Sequence, residues 1–101
     1  MIEIKRKNLE PLVFEEATTV KEAVEYAASN GISLKHAVLS GADLSDTNLS
    51  GADLSGADLT NADLSCTNLH NADLSDTNLS GADFFWTDLS GSNLSGATID
   101  Y

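Results

Sequence analysis

Beyond Lys35 the sequence contains no lysine and no arginine. All five basic residues (Lys5, Arg6, Lys7, Lys21 and Lys35) lie in the first third, where six glutamates nearly balance them, while the remainder carries ten aspartates. A formal net charge of −11 with the cations so placed argues against nucleic acid as a direct ligand, because phosphates are held by Lys and Arg. Cysteine is almost as scarce: Cys66 stands alone, which excludes an intrachain disulfide and a cage of cysteine ligands. No stretch approaches the ~18 apolar residues of a membrane span, and the opening MIEIKRKNLEPL lacks the apolar run of a signal peptide. The expectation is a cytoplasmic protein. Its 101 residues suffice for one domain with a modest core.

What the sequence has in abundance is a five-residue repeat. From Ala37 the chain divides into thirteen consecutive units without insertion or deletion: AVLSG, ADLSD, TNLSG, ADLSG, ADLTN, ADLSC, TNLHN, ADLSD, TNLSG, ADFFW, TDLSG, SNLSG and ATIDY. The third position is leucine except at Phe84 and Ile99, and the first is always Ala, Thr or Ser. The second is Asp or Asn except at Val38 and Thr98. A period of five fits neither a helix nor a plain strand. Positions one and three, small and large apolar, flank one polar residue and so face one side, with position two facing the other. The Ser-Gly, Ser-Asp and Ser-Asn pairs that follow are turn formers. Each unit is a short extended segment and a corner, and repetition winds the chain around an axis with Ala and Leu inside. A weaker period of twenty runs through Thr47, Thr67 and Thr87, and through Asp46, Cys66 and Trp86, with Thr77 the exception. Four units per coil would stack each set in a column.

Tandem A(D/N)LXX units resemble the pentapeptide-repeat family over about two thirds of the chain. The resemblance implies a mainly β fold, a right-handed quadrilateral β-helix with four pentapeptides per coil; the handedness and the square section come from the family alone. Sixty-five residues at twenty per coil give a solenoid of about three coils, and strand spacing makes it roughly 16 Å tall.

The domain division is a capping segment over residues 1–34 and the solenoid over residues 35–101. In the cap, Ile2–Lys5 and Leu12–Phe14 are expected to pair as a hairpin around an Asn8–Pro11 turn. A helix over about 19–29 follows, with Thr19 and Glu22 as a capping box and Asn30-Gly31 as its stop. The apolar stripe Val20, Ala23, Val24, Ala27 and Ala28 is expected to lie over the first coil. No comparable segment is expected to cover Leu89, Leu94 and Ile99. Near them Phe85 and Trp86 occupy outward positions, and adjacent exposed aromatics indicate a contact site. The expectation is a homodimer through the C-terminal coils, using Phe85, Trp86, Leu94, Ile99 and Tyr101; the alternative has the aromatics and Tyr101 covering their own rod.

Catalytic chemistry has little to stand on. The serines recur at the corner in almost every unit, as turn formers do. Cys66 and His70 lie close in sequence but at exposed corners with no third orienting group, and His36 reads as a surface residue. No enzyme activity, cofactor or metal site is expected. A period of twenty stacks Asp43, Asp63 and Asp83 on one face and Asp53 and Asp73 on another, with neighbours ~5 Å apart. Like charges so close are expected to raise some carboxyl pKa values or to collect loose counterions. A calcium site would need 6–8 converging oxygens, which a flat ladder does not offer. The leading reading is a non-enzymatic structural or protein-binding module with a rigid acidic surface. The alternative comes from the resemblance: some members of the family mimic DNA and bind a type II topoisomerase (DNA gyrase or topoisomerase IV). This chain departs from them in being short, with no loop interrupting its repeats and no C-terminal dimerising helix.

Overall fold

The structure, a computed structural model, describes residues 1–99; Tyr101, placed above in the contact site, lies outside them. The chain opens with β1 (Ile2–Arg6) and β2 (Leu9–Phe14), paired antiparallel with Ile2 opposite Phe14 and Arg6 opposite Leu9. The turn is therefore Lys7-Asn8 and not the expected Asn8–Pro11. Asn8 takes a left-handed φ of 61°, which asparagine tolerates, and Pro11 sits within β2. Among the described residues only β1 borders β2, so the proline, lacking an N–H, costs no ladder bond on the other edge.

Helix α1 (Val20–Ser29) starts at Thr19, whose hydroxyl accepts from the Glu22 amide at 3.1 Å. The reciprocal bond of a capping box is displaced by one residue. Glu22 Oε1 accepts from the amide and the hydroxyl of Thr18 (2.7 and 2.6 Å), not from the Thr19 amide. At the other end Gly31 has φ 68° and Ile32 N donates to Ala27 O at 2.9 Å, the six-to-one bond that closes a helix through a left-handed glycine. Ala23, Val24 and Ala27 are buried in the same core as the leucines of the repeats.

From Ala37 onward each unit contributes one parallel bridge to the unit twenty residues later. The second positions pair as Asp43 with Asp63, Asn48 with Asn68, Asp53 with Asp73, Asp58 with Asn78, and onward to Asn78 with Thr98. Three bonds recur. The third-position amide donates to the second-position carbonyl of the next coil (Leu44 N to Asp63 O, 2.9 Å), and the fifth-position amide to the fourth-position carbonyl (Asp46 N to Ser65 O, 3.0 Å). The second-position amide donates back to the preceding coil (Asp63 N to Ala42 O, 2.9 Å). Third-position leucines from Leu44 to Leu79 are fully buried.

The corner has one conformation throughout. Every fifth-position residue from Gly41 to Gly96 has a positive φ, and at nearly every corner the first-position amide bonds the carbonyl three residues back, as Ala57 N does to Leu54 O at 3.0 Å. A left-handed third residue in a four-residue turn is the signature of type II, and explains why Gly, Asn and Asp fill the position. Cys66 and Trp86 adopt the same conformation without that tolerance.

The first coil has no preceding coil, and the N-terminal segment meets its edge. Val38 N donates to Lys5 O (2.8 Å), Lys7 N to His36 O (2.8 Å), and Asn48 N to the Glu25 carboxylate (2.8 Å). The hydroxyls of buried Thr67 and partly buried Thr87 are also satisfied, reaching Leu44 O and Leu64 O of the preceding coil at 2.7 and 2.6 Å. Among the described residues no buried side-chain nitrogen or oxygen lacks a partner.

Candidate interaction surfaces

Each second-position Asp or Asn is held by its own corner. Its Oδ1 accepts from the amide two residues on, and where that residue is Ser or Thr an aspartate also accepts from the hydroxyl. Thus Asp63 takes Ser65 N at 3.0 Å and Ser65 Oγ at 2.6 Å, and Asp73 takes Ser75 N and Oγ at 3.0 and 2.6 Å. This is the Asx pattern that pre-forms a turn. Asp83 is different. Its corner residue is Phe85, so it receives only the amide, at 2.9 Å.

The expected acidic residues fall as two columns: Asp43, Asp63 and Asp83 are successive bridge partners, as are Asp53 and Asp73. Four units make a coil, so these columns stand two sides apart, on opposite faces. The N-terminal segment claims part of each. Lys21 Nζ lies 3.7 Å from Asp43 Oδ2, and Ser33 Oγ donates to Asp53 Oδ2 at 2.6 Å. Asp63, Asp73 and Asp83 are left with one oxygen free of these partners.

The expectation that stacking raises carboxyl pKa values is corrected. The Ser45 hydroxyl and amide, helped by Lys21, hold Asp43 below the ordinary carboxylate range. Burial acts to raise Asp53, but the hydrogen bonds of Ser33 and Ser55 outweigh it and the net shift is down. Asp58 and Asp88 are lowered by Thr60 and Ser90. Local donors a bond length away thus prevail over like charges a strand spacing away. Carboxylates held down in the folded chain stabilise it above the unfolded-chain pKa, and that contribution fades as pH falls through the folded value. The melting temperature should therefore fall as pH is lowered from about 5 toward about 3, despite relief of the negative charge. A rise over that interval in thermal melts followed by circular dichroism would show that repulsion between the ladders dominates instead.

The exposed aromatics lie at the corner between the Asp43–Asp63–Asp83 face and the next. Phe85 and Trp86 are 66% and 77% exposed and pack edge to face with centroids 5.8 Å apart. Cys66, exposed, lies one coil below Trp86. His70 Nδ1 is hydrogen-bonded to Ser90 Oγ at 2.8 Å, which gives the imidazole a partner other than the thiol. Phe84, Leu89 and Leu94 are only partly buried, and Ile99 is 38% exposed, in contrast to the fully buried leucines below them. Among the described residues no group of three His, Cys, Asp or Glu side chains is placed to hold a metal ion, and no helix is long and apolar enough to cross a membrane.

These corners, bridges and buried leucines are those of a repeat solenoid, and the chain belongs to the pentapeptide-repeat family: the family's pentapeptide repeats match in 8 copies, over residues 30–65 and 67–100. Proteins of this family fold as right-handed β-helices and are structural and protein-interaction modules, in general without catalytic activity. The chain is similar to a pentapeptide-repeat protein from the cyanobacterium Cyanothece 51142, with 39% identity and a TM-score of 0.61 over 62% of this chain and 44% of that one. It is also similar to HetL, a pentapeptide-repeat protein involved in heterocyst differentiation regulation in the cyanobacterium Nostoc sp. strain PCC 7120, with 34% identity and a TM-score of 0.37 over 62% of this chain and 35% of HetL. It thus spans less than half the length of either. No curated protein gives a significant match.

Proposed function

We propose that the chain is a non-enzymatic binding module: a rod of about three coils, covered at its first coil by the hairpin and helix, that offers rigid acidic faces to a protein partner and joins a second copy through its aromatic end. The observation that carries this reading is the placement of Trp86. A bulky residue at a left-handed corner is strained by about 1–2 kcal/mol, and among the described residues most of the Trp86 surface is left uncovered. A costly residue with no internal role is accounted for by an external contact. Asp83, with its freer carboxylate, sits beside it, and the partner suited to Asp63 and Asp83 is basic.

The faces are separable from the end by salt. Capture of a basic partner from lysate should be lost on raising salt from about 0.1 to about 0.5 M and in Asp63→Asn/Asp83→Asn. Asparagine keeps the Oδ1 acceptor, as Asn48 and Asn68 do, so the corner survives while the charge goes. Capture that resists both changes would remove the acidic faces from the reading. A second reading is favoured by the ten aspartates of the solenoid, which over a rod roughly 16 Å tall approach the linear charge density of a duplex, about one charge per ~1.7 Å. On that reading the partner is a type II topoisomerase. Unchanged supercoiling by purified gyrase in a large excess of the protein would eliminate it.

A further inference from the structure

At the opposite end of the molecule from Trp86, a groove of about 470 Å³ opens between β2, the segment after it and α1. Nothing in the repeats accounts for it. Phe14 is buried at its base, while Val13 and Tyr26 are 49% and 56% exposed along it. The Tyr26 ring is set edge-on against Phe14, with centroids 6.2 Å apart and planes at 77°, and so is held in place while more than half exposed. Glu15, Glu16 and Glu22 also line the groove, and no basic side chain does. The Thr18 hydroxyl and amide hold Glu22 below the usual carboxylate range, so the groove carries fixed negative charge at neutral pH.

Three requirements follow for an occupant. It must be cationic, to meet three carboxylates without a counter-charge of their own. It must bring apolar surface, because the walls between those carboxylates are aromatic and aliphatic. Its cation must tolerate a ring face, and among side chains arginine does this best, stacking on tyrosine while its fork donates to carboxylates. A phosphate or an anionic lipid surface fails the first requirement. A second copy of this chain fails on availability. Its one arginine, Arg6, lies within β1 and already donates Nε to Glu10 O at 2.7 Å. The volume suits a few side chains of a peptide, and among the described residues the edge of β2 that borders the groove has no neighbouring strand along which a peptide would be excluded.

We infer that this groove binds a basic, apolar-flanked peptide segment of a partner protein, with an arginine stacked on Tyr26 among Glu15, Glu16 and Glu22 and a large apolar side chain against Val13 and Phe14. This site is separate from the acidic faces of the rod, and either can exist without the other.

The test uses the whole chain and a fluorescein-labelled peptide, Gly-Leu-Arg-Phe-Leu-Arg-Gly, with two controls: one with Glu for Arg, the other with Ser for Leu and Phe. Anisotropy should show binding of the first peptide below about 1 mM, with the Glu peptide silent and the Ser peptide weaker by about tenfold or more. Amide chemical shifts should move at residues 12–16, 22 and 26. Glu15→Gln/Glu16→Gln and Tyr26→Ala should each weaken binding by about fivefold or more. If Tyr26→Ala loosens α1, Tyr26→Leu keeps an apolar contact with Phe14, lacks the π face and should weaken binding as well. Asp63→Asn/Asp83→Asn should leave binding within about twofold. Absence of binding at about 1 mM, equal binding of the Ser peptide, undiminished binding by Tyr26→Leu, or shifts confined to the rod's acidic faces would each overturn the inference. The last of these would support the acidic-face reading while sinking this one.

Discussion

Leu64→Ala should destabilise the protein by about 3–5 kcal/mol, whereas Leu94→Ala should cost about 1 kcal/mol. Both residues hold the third position of their units, and nothing in the local sequence distinguishes them. Their places along the rod do. Leu64 is fully buried, with Leu44 one coil before it and Phe84 one coil after. Leu94 has Leu74 on one side and is only partly buried. In a solenoid each unit is stabilised by its nearest neighbours, so an inner leucine loses contacts in two directions and an end leucine in one. Truncating the inner residue leaves a void whose lining cannot collapse, because the bridges on either side fix the strand spacing. At ~4–8 °C per kcal/mol for a domain of this size, Leu64→Ala should melt at least about 12 °C lower, and Leu94→Ala within about 8 °C of wild type. The measurement is a thermal melt at low micromolar concentration. Equal losses would show that Leu94 is as well covered as Leu64. A Leu94→Ala penalty that grows with concentration would identify the cover as a second copy, since mass action stabilises only what is bound.

Most of the architecture is legible in the sequence because the period itself is the signal. Five residues containing one small and one large apolar side chain two apart specify an inside, and Asp or Asn between them specifies an outside with a turn-forming acceptor. The twenty-residue recurrence of Thr and of the odd fifth residues anticipates the bridge partners. Other features resist sequence reading, for physical reasons that differ. Pro11 looks like a turn residue, yet an edge strand accommodates it, and Asn8, at a left-handed φ of 61°, makes the tighter turn. The aspartate columns look like pure repulsion, but whether Asp43 is raised or lowered depends on the hydroxyl and amide of Ser45, which compete at hydrogen-bond range. The prevalence of Gly, Asn and Asp at the fifth position did carry the left-handed corner, and reading it so would have marked Cys66 and Trp86 as strained at once. The groove beside Tyr26 has no local signature at all: β2, the acidic segment after it, α1 and Ile32 form it only when the chain has folded.

Trp86→Gly should move stability and self-association in opposite directions. At a left-handed φ of 60° the tryptophan costs the monomer about 1–2 kcal/mol that glycine does not. Glycine in turn gives back about 0.5–1 kcal/mol through its freer unfolded chain. The monomer should thus gain about 0.5–1 kcal/mol, a rise of several degrees in melting temperature at a concentration too low for dimers. The proposed dimer should suffer, because an exposed aromatic that anchors an interface contributes about 2 kcal/mol or more, equivalent to a dissociation constant about 30-fold weaker. Trp86→Ala separates the two effects. It removes the ring but keeps a Cβ at the left-handed corner, so it should lose the dimer without the stability gain. Sedimentation velocity across the micromolar range reads association, and thermal melts at the lowest usable concentration read the fold. A wild-type protein that remains monomeric at high micromolar concentration, or a Trp86→Gly variant that associates as tightly as wild type, would refute self-association through this corner. A gain in monomer stability in that same variant would still leave Trp86 as a residue held at a cost to the fold, and direct the search for its contact to the partner bound beside Asp83.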